Sequence, residues 1–176
     1  MKKYLLLVLV VFVFSSCKPT RESRLKEIGK YEMTTLKETK EISKIKADSL
    51  LVLYDSFISD FPTDSNSTIF LFRAADVCIN MKYCDRAIAY IDRLVSDFPN
   101  TQMSEFASFK RGEAYEKACS NKEKAKQAYD DFTVEYPESD LANTAKVMSE
   151  MLGMQDEMDM IRQFEAQNAE TLTVEN

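Results

Sequence analysis

The chain repeats itself. Asp60-Phe61-Pro62, Asp97-Phe98-Pro99 and Glu135-Tyr136-Pro137 are one acidic–aromatic–proline motif, spaced 37 and then 38 residues apart. The residues twelve (Leu50, Ala87, Ala125), eight (Tyr54, Ile91, Tyr129) and five (Phe57, Leu94, Phe132) before each proline correspond as well. A period of this length means that each unit cannot bury its apolar face alone and stacks on its neighbours. The repeated region runs from Ala47 to about Leu152.

Within a period the pattern is helical. Leu50, Leu53, Tyr54 and Phe57 recur at intervals of three and four, the apolar face of a helix from Asp48, its cap, to Asp60. The helix stops at the aromatic residue, because proline disfavours helical geometry in the residue before it. Further helices are expected from about Ser67 to Met81, Asp85 to Ser96, Gln102 to Ala118 and Glu123 to Glu135. The short turns at Lys82–Asp85 and Cys119–Lys122 make each pair antiparallel. Gly112 stands 37 residues after Ala75, a column kept small by close crossing of the paired helix. Ser139 or Asp140 caps a helix through Leu141, Ala145, Met148 and Leu152, which Gly153 is expected to end. Asp156 then opens a last amphipathic helix with Met158, Ile161 and Phe164.

The N-terminus has a different logic. Lys2 and Lys3 precede an eleven-residue apolar run, Tyr4 to Phe14, and then Ser15-Ser16-Cys17. The run is shorter than the roughly 20 residues that span a bilayer, and its layout is that of a cleavable export signal. Small residues before a cysteine resemble the lipobox of bacterial lipoproteins, with Phe14 standing where leucine is usual. The resemblance implies acylation of Cys17. Lys18 follows in place of the aspartate that retains many such proteins at the inner membrane, so the outer membrane is the expected home. The organisation read from sequence is a leader at 1–16, a lipidated charged tether at 17–46, a helical repeat domain at 47–164 and a flexible tail at 165–176.

Charge is uneven. The chain carries a net charge of −6, and removal of Lys2 and Lys3 with the leader makes it −8. An acidic chain without a basic patch makes a poor nucleic-acid binder. The tether, with Leu25, Ile28, Leu36, Ile42 and Ile45 as its sparse apolar residues, is read as one or two helical segments. Beyond Cys17 three cysteines remain, Cys78, Cys84 and Cys119, an odd number that leaves at least one thiol unpaired. Cys78 falls at a core position. Cys84 and Cys119 occupy turns of neighbouring repeats, so a disulfide between them is open without being expected. There is no histidine, which removes histidine-based acid–base and triad chemistry, and with no CxxC either the common zinc sites are disfavoured. No glycine cluster forms a phosphate loop, and no metal or cofactor is expected. Asp130 and Asp131 are adjacent and diverge on a helix, which suits solvated surface rather than an acid–base pair.

Small residues at Ala75 and Gly112, alanine at Ala87 and Ala125, a large residue four later and proline twelve later resemble tetratricopeptide (TPR) repeats. The Asp-Phe-Pro-Asn-Thr and Glu-Tyr-Pro-Glu-Ser corners are similar to the long-loop TPRs of the Tol–Pal-associated coordinator and of the TPR lipoprotein in the outer-membrane barrel assembly machine. Two departures stand out: repeat one lacks an obvious first helix, and Leu50 replaces its alanine. The resemblance implies an all-α fold, a right-handed superhelical solenoid of antiparallel helix pairs whose first helices line the inner face. It implies a non-enzymatic adaptor of the cell envelope, anchored in the outer membrane, facing the periplasm and binding another envelope protein. The alternative is a lipoprotein that binds a glycan or small amphiphile. The groove residues expected from the first helices are Ile69, Phe72, Asp76 and Ile79, then Phe106, Phe109, Glu113 and Glu116. Val147 and Met151 come from the last unit. An aromatic floor with an acidic edge would suit an apolar peptide carrying Lys or Arg.

Overall fold

The computed structural model describes residues 19–38 and 42–174, with the side chains at 36–38, 163, 164 and 166–174 excepted. The leader, Cys17 and residues 39–41 of the tether lie outside the described residues. Among the described residues every regular element is helical: α1 (Arg21–Glu38), α2 (Lys44–Asp60), α3 (Ser65–Asn80), α4 (Cys84–Asp97), α5 (Gln102–Glu113), α6 (Lys122–Glu135) and α7 (Ala142–Val174). A π-helical turn, Ala114–Ala118, extends α5. None of these helices is long and apolar enough to cross a membrane. The chain divides into two compact units, one ending at Thr63 and the other beginning at Asp64.

In the first unit α1 packs on α2, and α1 is the first helix that repeat one lacked in the sequence. Its charged residues conceal a narrow apolar stripe: Ile28 is 1% exposed and Thr35 is buried with it. Polar bonds then fix the pair. The Tyr54 hydroxyl donates to Glu32 at 2.6 Å, and Arg24 pairs with Asp60 at 3.0 Å. The cap of α2 is Ser43, whose hydroxyl accepts from the Lys46 N–H, and not Asp48.

In the second unit α3 packs on α4, α5 on both α3 and α4, α6 on α5 and α7 on α6. This is the neighbour pattern of a TPR-like stack of helix pairs. The repeat columns read from sequence are the cores of both units: Leu50, Ala87 and Ala125, Tyr54, Ile91 and Tyr129, and Phe57, Leu94 and Phe132 are all buried. Burying each large side chain contributes about 1.5–3 kcal/mol. The aromatic–proline corners are built alike. Phe61, Phe98 and Tyr136 adopt φ/ψ near −134/61, −130/55 and −126/61, and each donates its N–H to the carbonyl four residues back. Two residues beyond each proline a short polar side chain accepts a backbone N–H. Asp64 takes that of Asn66, Thr101 that of Ser104, and Ser139 that of Leu141. At the first two corners that side chain is the cap of the next helix, whereas Ser139 stands in the turn ahead of α7, which begins at Ala142.

The small column is real at Gly112. A Cβ placed there would lie 2.5 Å from Cζ and 2.7 Å from Cδ1 of Tyr129, so the absence of a side chain lets α5 and α6 meet.

Three expectations are corrected. Cys84 and Cys119 form a disulfide, with Cα atoms 4.8 Å apart, while Cys78 is buried outside it. The π-helical turn carries the chain one residue further than an α-turn before Cys119, whose N–H reaches the Ala114 carbonyl, and so brings the sulfur to the start of α4. Helix α4 has no side-chain cap; Tyr83 occupies that position and Asp85 lies in the first turn. Finally, Gly153 does not end a helix, nor does Asp156 begin one. Both lie inside α7, which runs unbroken from Ala142 to Val174. Packing of Ala145 and Leu152 with Ala125, Tyr129 and Phe132 holds α7 through Leu152, and the Lys122–Asp159 ion pair at 3.0 Å secures the following turns.

Candidate functional site

Helices α3 and α5, the first members of their pairs, carry the expected groove residues. Their registers match because Ile69, Phe72 and Asp76 stand 37 residues before Phe106, Phe109 and Glu113. The structure treats the six differently. Ile69 is 36% exposed, and Phe72 and Phe106 are half-buried. Phe109 turns one side to the core, its ring 5.5 Å from both Tyr129 and Phe132. Ile79 is buried and belongs to the core outright. Val147 and Met151 are exposed, on α7.

Asp76 and Glu113 are brought together by a residue that sequence reasoning missed, Lys110. Its ammonium lies 2.7 Å from Asp76 and 3.0 Å from Glu113, and 5.5 Å above the centre of the Phe72 ring. Lys117 closes the chain of charges on Glu113 at 2.8 Å. Two carboxylates and two ammonium groups therefore alternate along the face. A signal for this was present, since Lys110 and Lys117 stand three residues before and four after Glu113 on one helix, spacings that face each other.

The ionisation states follow. Burial disfavours charge on Lys110, but the Asp76 and Glu113 carboxylates outweigh it and raise its pKa above 10.5. Burial likewise opposes charge on Glu113, and the hydrogen bonds from Lys117 and Lys110 outweigh it, holding that carboxyl below 4.5. Both shifts favour the charged forms of Lys110 and Glu113 at neutral pH. The acidic edge expected from sequence is thus matched internally by lysine, and a basic ligand would have to replace Lys110 to reach it.

Elsewhere in the same unit Asp130 and Asp131 diverge as adjacent helical residues must. Asp130 bonds Lys126 at 2.7 Å and Ser149, whereas Asp131 accepts from Gln127. For Asp130, burial is outweighed by Lys126 and Ser149, so its pKa is lowered from 3.8 and it stays ionised, the wrong direction for a general acid. Among the described residues no cluster of cysteine and carboxylate side chains has the makings of a metal site.

A second concavity lies within the first unit. Tyr31 and Thr34 of α1 and Val52 and Leu53 of α2 line a groove of about 500 Å³. The charged composition of α1 carries no signal for it, because so thin an apolar stripe does not name the helix it packs on.

The profile of the Tetratricopeptide repeat family matches residues 106–139. That stretch covers most of α5, the π-helical turn, α6 and the Tyr136-Pro137 corner. Repeats of this kind are scaffolds that present extended surfaces for binding other proteins. A comparison with curated proteins finds no match.

Proposed function

We propose that the chain is an adaptor that holds another envelope protein against the α3/α5 face, tethered to the periplasmic side of the outer membrane by acyl groups on Cys17. The observation that carries the reading is the juxtaposition of exposed Ile69 and the Phe72 ring with the Asp76–Lys110–Glu113 ion pairs. An apolar patch beside exchangeable charges suits a peptide or helix that supplies its own anchor residue and replaces one ion pair. The lipobox-like Ser15-Ser16-Cys17 supports the anchor, and two acyl signals are what stable anchoring needs. Assembly or coordination of envelope components is the class of work such an adaptor performs. The Phe72 ring lies beneath Lys110, and Phe109 turns towards the core. That leaves little open aromatic surface for a stacked sugar and disfavours the glycan alternative.

The test has two arms. Radiolabelled palmitate should enter the full chain and be lost in Cys17→Ser; incorporation unchanged by that substitution removes the anchor. A photo-crosslinking residue at Phe72 should capture a protein that Ile69→Asp releases, without change in melting temperature.

A further inference from the structure

Helix α7 carries two faces. Its core face is Ala145, Ser149, Leu152, Asp156 and Asp159, buried or half-buried on the α6 side of the unit. Two residues after each of these stand Val147, Met151, Met154, Met158 and Ile161. At 100° per residue, a step of two places them about 200° around the helix, on the opposite side. There they are 44, 47, 57, 54 and 58% exposed. Scattered exposed apolar residues need no explanation, but five in one stripe do.

The spacing of the stripe is 4-3-4-3, the seam of a coiled coil and not the broader face of a helix packing into a globular core. With Met151 and Met158 at a positions and Val147, Met154 and Ile161 at d positions, Glu150 and Glu157 fall at g, and Gln155 and Arg162 at e. In a parallel pair each g residue meets the e residue five positions on in the other copy. Glu157 then meets Arg162 twice, and Glu150 meets the uncharged Gln155. Arg162 is available for this: its side chain is 67% exposed, and its ion pair with Asp159 at 3.2 Å lies along its own helix. An antiparallel pair centred on the same stripe would set Glu150 against Glu157 at both ends.

From the seam spacing and this charge pattern we infer that the stripe Val147–Met151–Met154–Met158–Ile161 is a self-association surface, on which a second copy of the chain docks its own α7 in parallel. The exposed apolar area of the stripe is on the order of 500 Å² per copy, so the pair buries about 1,000 Å², the lower bound for a specific interface. The dimer is therefore weak and reversible, with flexible methionines in its seam. The body of each second unit lies on the far face of α7, clear of the seam.

Single cysteines in the full chain test both the surface and its direction. Val147→Cys and Ile161→Cys, at opposite ends of the stripe, should each crosslink to the same position of a differently tagged copy under mild oxidation. Met154→Glu should weaken self-association by at least about 100-fold in sedimentation equilibrium, since it puts like charges into the centre of the seam. Val134→Glu, an exposed residue on α6 (82% exposed), should leave it unchanged. Unchanged far-UV circular dichroism separates lost association from lost folding. The inference is overturned if the chain stays monomeric at high micromolar concentration. It is overturned equally if Val147→Cys and Ile161→Cys crosslink only to each other, or if the stripe crosslinks only to a different protein.

Discussion

Gly112→Ala and Gly29→Ala are the same substitution in two helices, and the structure gives them opposite signs. Replacing glycine by alanine inside a helix ordinarily stabilises by up to about 1 kcal/mol, through the reduced freedom of the unfolded chain and better propensity. At Gly29 nothing lies within 4 Å of the new methyl, so that gain should appear in full. At Gly112 the methyl would overlap Tyr129, with Cζ at 2.5 Å and Cδ1 at 2.7 Å. The ring has little room to retreat: it is 2% exposed and flanked by Phe109 at 5.5 Å. Overpacking of this kind costs about 1–3 kcal/mol, and the overlap with ring atoms rather than a flexible tip puts it at the upper end. Set against the propensity gain, Gly112→Ala should lose about 1–2 kcal/mol net. Urea unfolding followed by circular dichroism measures both variants. A double-mutant cycle with Tyr129→Leu locates the cause, because shortening Tyr129 should cost less in the Gly112→Ala background than in the parent. A Gly112→Ala protein as stable as the parent, or additive behaviour in the cycle, would refute the close α5–α6 crossing.

Other perturbations follow from named contacts. Reduction of Cys84–Cys119, or its replacement by serines, frees a loop of separation 35 and should cost about 3–4 kcal/mol by loop-closure entropy, read as a lower urea midpoint with dithiothreitol. Lys82 has φ 58, a conformation that penalises a side chain, so Lys82→Gly should raise stability by about 0.5–1 kcal/mol in the same assay. Phe109→Ala should destabilise by roughly 3 kcal/mol because its ring packs on Phe132, whereas Ile69→Ala should leave the melting temperature nearly unchanged. Glu113 has its pKa depressed below 4.5 by Lys117 and Lys110 against the opposing effect of burial. Its contribution is therefore complete above about pH 4.5 and lost as pH falls through the lower folded-state value. Glu113→Gln should flatten the acid limb of the stability profile below about pH 4.5, and an unchanged limb would show that the cluster is not formed.

The core was legible because proline and aromatic residues mark a fixed place in each period, so counting back from Pro62, Pro99 and Pro137 reaches the same three buried columns. The caps were partly legible. Asp64 and Thr101 cap α3 and α5 from one offset beyond their prolines, but the polar run after Pro62 fits a loop equally well. The cap expected at Ser139 or Asp140 falls in the turn before α7, which begins at Ala142. Helix α1 was hard to place because Ile28 and Thr35 are a thin stripe among charges. Gly153 misled because a glycine inside a well-packed helix costs only about 1 kcal/mol, less than the packing of Ala145 and Leu152 supplies. The disulfide depended on a π-helical turn, which changes where Cys119 lands and has no composition signal. The ion-pair cluster depended on a contact between α3 and α5: sequence placed Asp76 and Glu113 on one face but not Lys110 between them.

The α3/α5 face as a protein-binding surface is most directly measured by photo-crosslinking in cells that express the full chain. A benzoylphenylalanine at Phe72 should yield a discrete adduct with another protein, and the same probe at Val134, 82% exposed on α6, should not. Ile69→Asp should abolish the Phe72 adduct while the purified variant melts as the parent does. Equal adducts from both positions, or none from Phe72, would contradict the assignment of that face.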